Sequence, residues 1–139
     1  IKTTKYKEVK TKEKKGMDEK KAIDSVKMWF KESASLATVV IEDIAARDDL
    51  SKTTYAFAAD YISQQTTGRN SDMPQSSILL AKLYSKLEDY SKAVVAQQKA
   101  IALAKAALAE GKYKELVTEK TIEEYETVLT QYQKKNKNL

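Results

Sequence analysis

The sequence predicts an all-α protein of about five helices in antiparallel succession. Three observations lead there. Glycine and proline are scarce: Gly16, Gly68, Gly111 and Pro74 are the full set among 139 residues. β-Sandwiches and α/β domains need many tight turns, which draw on glycine and proline, whereas a few long helices need few breaks. From Ala22 onward, apolar residues recur at three- and four-residue spacing, the period of helices with one buried face. Polar capping residues and one helix-ending glycine stand where these stretches begin and end.

Asp18 is a suitable N-cap for the first helix, with Ala22, Ile23, Val26, Trp29 and Phe30 as its apolar members. Trp29 and Phe30 lie ~100° apart on a helix and can share one wide face, so both are expected in the core, with Met28. Leu36, Val39, Val40, Ile44 and Ala45 continue the stripe. The pattern fits one long helix as well as two broken near Ser33 and Ser35. Asp48 to Ser51 ends it, and Ser51 can cap the next helix, whose apolar members are Tyr55, Phe57, Ala58, Ala59, Tyr61 and Ile62.

Residues 66–72 carry the strongest turn signal in the chain. Pro74 suits the first turn of a third helix, where its missing N–H costs nothing, with Ser71 or Asp72 as cap. Ile78, Leu79, Ala81, Leu83, Tyr84 and Leu87 give that helix a wide apolar face. After a short turn at Glu88 to Tyr90, a fourth, alanine-rich helix is expected from about Ser91 to Glu110, ended by Gly111. Tyr113, Leu116 and Val117 fall in a connection. The last helix is expected to start near Thr121, with Glu124 completing a capping box. Its stripe is Ile122, Tyr125, Val128, Leu129 and Tyr132, and residues 134–138 are expected to fray.

The length suits one domain, assigned to residues 17–139, preceded by a basic linker or disordered segment at 1–16. The formal charge is +5, and seven lysines against two glutamates in residues 1–15 account for all of it. A basic tail on a balanced body reads as a solvated segment; a short strand over Tyr6 to Thr11, belonging to a neighbouring domain, is the other reading. Stacking around Tyr6 with phosphate contacts would suit nucleic acid, but no arginine lies there: Arg47 and Arg69 are the only two.

Cysteine and histidine are both absent. That removes disulfides, thiolate chemistry, the usual base near neutral pH and the commonest zinc ligand. The pairs Glu42–Asp43 and Asp48–Asp49 read as helix-end and turn charges rather than a metal or acid–base site. Glu123, Glu124 and Glu126 sit early in a helix, where negative charge suits the dipole. The expectation is a chain that is not an enzyme, with no metal, cofactor or small-molecule substrate. No apolar run approaches the ~20 residues that span a bilayer. No signal peptide is visible, and a start at Ile1 is expected of a piece of a longer protein.

The segment from Pro74 to Ala104 reads PQSSILLAKLYSKLEDYSKAVVAQQKAIALA. Small residues at Ala81 and Ala93 let two antiparallel helices approach closely, Tyr84 and Leu87 fill the space beside them, Tyr90 covers the turn, and Ala100 makes room for a following helix. With Asp89 and Ile101, these positions resemble a tetratricopeptide repeat. Gln97 departs from the pattern, standing where the family prefers a bulky aromatic residue, as does Lys105, where a proline often ends the second helix. Phe57, Ala58 and Tyr61 repeat the spacing of Leu80, Ala81 and Tyr84 more faintly. The stretch KAIALAKAALAEGKYKE, followed by an amphipathic helix, also resembles the helical tails of some bacterial thioredoxin-fold proteins. That second resemblance implies a periplasmic or extracytoplasmic setting.

The first resemblance implies right-handed helical hairpins and a non-catalytic scaffold that binds a protein or peptide in a groove lined by the first helix of each repeat. Carried over onto this sequence, the groove residues are Tyr55, Ala59 and Ser63 on one helix and Gln75, Ile78, Lys82, Ser85 and Lys86 on the next. Ile78 and Lys82 do not reproduce the carboxylate-clamp arrangement. The alternatives are a structural or homodimerisation appendage of a larger protein and, from another class, weak binding of nucleic acid or an anionic surface through residues 1–15.

Overall fold

The computed structural model describes residues 18–66 and 73–138. Six helices run through them, and the fold is all-α, with one helix more than the sequence pattern suggested. They are α1 (Glu19–Glu32), α2 (Ala34–Ala46), α3 (Lys52–Gln65), α4 (Pro74–Lys86), α5 (Tyr90–Glu110) and α6 (Glu119–Lys137). Among the described residues there is no strand. The basic segment 1–16, the Ser71 and Asp72 caps and most of the 66–72 loop lie outside the described residues. The chain forms two compact units that divide within α3, one ending at Ala58 and one beginning at Ala59.

In the N-terminal unit the extra helix arises at Ser33. Its extended backbone (φ −158°, ψ 106°) ends α1, and its hydroxyl accepts from Leu36 N to start α2. Asp18 caps α1 through Lys21 N, as the sequence suggests. The break also shifts the phase of the apolar stripe. Ala37, Ile41, Ile44 and Ala45 are buried on α2, whereas Leu36 and Val39 are 46% and 59% exposed. Met28, expected in the core, is 56% exposed. Trp29 is half-buried, and the Phe30 side chain lies outside what is described. The stripe drawn through α1 does not carry into α2, because one extended residue resets the 100° increment on which such a stripe depends.

α1 packs against α2, and side-chain bonds tie α1 to the start of α3. The Glu19 carboxylate accepts from Ser51 N (2.9 Å), Ser51 Oγ (2.5 Å) and Thr54 Oγ1 (2.7 Å). Ser51 Oγ in turn accepts from Thr54 N at 3.3 Å, the N-cap bond expected of it. A carboxylate here also meets the positive end of the α3 dipole. Bonds from the Ser51 hydroxyl first, then Thr54 and the Ser51 amide, hold the Glu19 carboxyl below the usual glutamate range. A depressed folded-state value means that this contribution is present above the ordinary glutamate pKa and is lost as pH falls through the folded one. Glu19→Gln is expected to lower stability at neutral pH by less than the about 1 kcal/mol of a helix-cap bond, because water screens this partly exposed carboxylate. It should flatten the acid limb of a stability–pH curve measured by urea unfolding. An acid limb identical to that of the unaltered chain would contradict the assignment.

The C-terminal unit holds the end of α3 together with α4, α5 and α6. α4 packs against α5, and α5 against α6. Contacts between α5 and α6 run in opposite order along the two helices. Ala104 and Ala107 cluster with Val117 and Ile122, Gln97 bonds the Tyr125 carbonyl, and the Tyr90 ring lies 6.5 Å from that of Tyr132. The pair is antiparallel. α5 carries its buried residues at Ala93, Ala96, Gln97, Ala100, Ile101, Ala104 and Ala107, spacings of three and four that keep one flank of small side chains inward. Gly111 ends it at φ +71°.

The α4–α5 turn is built as the end of α5 is, from a different residue. Asp89 N bonds Tyr84 O at 3.0 Å and Glu88 N bonds Ser85 O at 3.0 Å. This is the paired bonding of a Schellman motif, with Glu88 at φ +59° where glycine is usual. At the end of α5 the equivalents are Lys112 N to Ala107 O and Gly111 N to Leu108 O. A side chain in that left-handed conformation costs about 1 kcal/mol. Glu88→Gly is expected to raise the unfolding midpoint and Gly111→Ala to lower it, by up to about 1 kcal/mol each. Thermal melts of the two variants check this, and a midpoint lowered by Glu88→Gly would contradict it.

α6 begins two residues earlier than expected. Its N-cap is Thr118, and the reciprocal bonds of the capping box run between Thr118 and Thr121, not to Glu124. Its C-terminal residues stay helical to Lys137, so the expected fraying of 134–138 is confined to Asn138 among the described residues. Lys134, Lys135 and Lys137 fall in the last turn, where cations complement the helix dipole.

Candidate interaction surface

The residues carried over as a groove do not share one environment. Tyr55, in the N-terminal unit, is buried and fully engaged: its hydroxyl donates to Arg47 O at 2.6 Å and accepts from Leu50 N at 3.2 Å. It pins the 47–50 turn, which the Arg47 guanidinium also ties down by gripping both Asp49 oxygens at 3.0–3.1 Å. The other seven belong to the C-terminal unit. Ala59 is buried and Ser63 half-buried on α3. On α4, Gln75, Ile78, Ser85 and Lys86 are half-buried, and Lys82 is exposed.

Burial around α4 explains that last difference. Pro74, Ser77, Leu79, Leu80, Ala81 and Leu83 are all buried, so the helix is enclosed over most of its circumference. Gln75, Ile78 and Lys82 stand at i, i+3 and i+7, one narrow stripe on its remaining side. Ser85 and Lys86 are turned toward α6. The Tyr132 phenol hydrogen-bonds Ser85 and lies near Lys86, Tyr90 and Lys135; burial pushes its pKa up, against the pull of the Ser85 bond and the lysines. Lys135 Nζ sits 5.5 Å from the centre of the Tyr90 ring. Two of the five α4 residues thus serve an internal contact between helix ends.

A second feature of this unit has no signal in the sequence. Leu80 and Tyr84 on α4, with Lys92, Val95, Ala96 and Lys99 on α5, border an open depression of about 450 Å³. Leu80 and Ala96 form its buried floor, and Val95 stands 65% exposed beside it. The depression lies across α4 from Lys82, because Leu80 and Tyr84 are rotated about half a turn from the Gln75–Lys82 stripe. Periodicity marks Leu80 and Tyr84 as core, and a sequence pattern holds no sign that Tyr84 stays half-buried beside an open hollow.

The paired carboxylates do not gather. Asp49 is taken by Arg47, and Glu42 and Asp43 are exposed. No three carboxylates converge among the described residues. No helix among them is long and apolar enough to cross a membrane. No protein-family model, curated protein or solved structure matches the chain. The fold is an all-α arrangement compatible with a helical repeat.

Proposed function

We propose that the chain is a non-catalytic helical-repeat module of tetratricopeptide type that binds a protein or peptide along the Gln75–Ile78–Lys82 stripe of α4. One observation carries the reading: Ala81, Ala93 and Ala100, the small positions of the repeat pattern, are all fully buried. That is the burial expected where helix backbones approach closely. Two supports accompany it. Asp89 caps α5 through Lys92 N, and α6 packs on α5 as a following helix would. Lys82 is then the residue free to meet a partner. In affinity capture with the chain as bait, Lys82→Glu is expected to remove the specific partner while leaving the circular dichroism spectrum unchanged. Undiminished capture by a folded Lys82→Glu variant would remove the stripe from consideration.

A second reading, a dimerisation appendage of a larger protein, is favoured by the exposure of Leu36 and Val39 one turn apart on α2. Light scattering separates the two: a concentration-dependent dimer abolished by Val39→Lys supports the appendage, and a monomer at all concentrations sinks it. The third expectation, binding through residues 1–15, concerns residues outside those described.

A further inference from the structure

The depression on the α4–α5 hairpin combines an apolar floor with a one-signed rim. Lys92 and Lys99 stand seven residues apart on α5, about 10 Å along the axis. The Lys92 ammonium sits 5.7 Å from the Tyr84 ring centre. Among the described residues its carboxylate partner is Asp89 at 3.8 Å, between side chains that are largely exposed, a pairing of small energetic consequence. The Lys99 ammonium donates to Thr66 O at 3.0 Å. That bond caps the carbonyl end of α3 and holds the charge in place without neutralising it. No carboxylate borders the depression among the described residues.

An apolar hollow open to water, beside an exposed valine, is incomplete as a surface. Its volume is that of a site for a few side chains. Two positioned cations without short counter-ions select what enters by sign. From this charge complementarity we infer that the α4–α5 depression receives an acidic segment of a partner protein. An apolar side chain of the segment sits over Leu80 and Ala96 against Val95, and carboxylates on either side meet Lys92 and Lys99. The inference rests on the reading of the chain as a protein-binding module and adds a second surface, on the far side of α4 from Lys82, together with the chemistry of its partner.

The test is an amide NMR titration of the chain with three short synthetic peptides: leucine anchors flanked by glutamates, the same anchors flanked by lysines, and the glutamates with alanines in place of the anchors. The glutamate–leucine peptide is expected to shift the amides of 80–84 and 91–99. Its affinity should exceed that of the other two by about tenfold or more and weaken as salt shortens the screening length. Val95→Glu, a change at an exposed position, should abolish binding without unfolding the chain, and Lys92→Glu, which leaves one cation and one anion on the rim, should remove the preference for the acidic peptide. Lys82→Glu should leave this titration unaltered, so loss of the α4 stripe and loss of this depression are separately visible. Equal binding of the acidic and basic peptides, shifts confined to other residues, or no shifts at millimolar peptide would each overturn the proposal.

Discussion

Replacing Ala100 by leucine is expected to destabilise the C-terminal unit by about 3 kcal/mol, toward the upper end of what overpacking a close helix contact costs. Ala100 is fully buried on α5, and α5 packs against both α4 and α6. Helices whose facing residues are alanines approach near the lower limit of interaxial distance, about 8 Å. The additional carbons of leucine have no route to solvent at a fully buried position, so a neighbour is expected to move away. Ala102 supplies the control: it lies on the same helix and is exposed. Ala102→Leu is expected to change stability by less than about 0.5 kcal/mol. Urea unfolding of the two variants decides the matter, and equal midpoints would show that α5 is not closely packed at Ala100.

Gln97→Ala is expected to cost about 2 kcal/mol, part from a lost hydrogen bond and part from the void left behind. Gln97 is buried, and its Nε2 donates to the Tyr125 carbonyl at 2.8 Å. A backbone carbonyl within a helix keeps a second lone pair for such a donor, so the bond fastens the side of α6 to α5 at no expense to either helix. Gln97→Leu keeps most of the volume and loses only the bond, and should cost less, about 1 kcal/mol. Hydrogen exchange should register both variants first in the α6 amides. An α6 no less protected in Gln97→Ala than in the unaltered chain would rule out Gln97 as its anchor. Gln97 thus has a specific use: it makes a polar bond to the next helix.

Much of the architecture was legible because its signals are local. Asp18, Ser51 and Gly111 each act as their residue type suggests: two side-chain oxygens accept helix-start amides, and one glycine takes a left-handed conformation. Pro74 stands at the first position of α4. The Glu88 cap was not legible, because glutamate carries no preference for positive φ; the closely packed hairpin holds it there. The capping box of α6 was misplaced because a threonine three residues after the cap can do what Glu124 was expected to do.

The candidate site was less legible than the fold. Transferring a groove by alignment picks one stripe per helix, but neighbours decide how much of that stripe is left uncovered. Tyr55 and Ala59 are buried, and Ser85 and Lys86 meet Tyr132. Lys82 alone of the α4 residues is left exposed. The depression beside Val95 is bordered by residues of two helices, so no spacing along either one encodes it.

Helical class, approximate boundaries and the alanine-lined flank of α5 are properties of the chain read in order. Each depends on residues within a turn or two of one another, where propensity, capping and periodicity act. Long-range packing supplied the phase of the α2 stripe, the bond from Gln97 to α6, the seating of Glu19 on Ser51 and Thr54, and the placing of Lys99 on the Thr66 carbonyl. Each of these depends on which surface a helix meets, and the free energy of that choice comes from burial summed over many residues rather than from any single position.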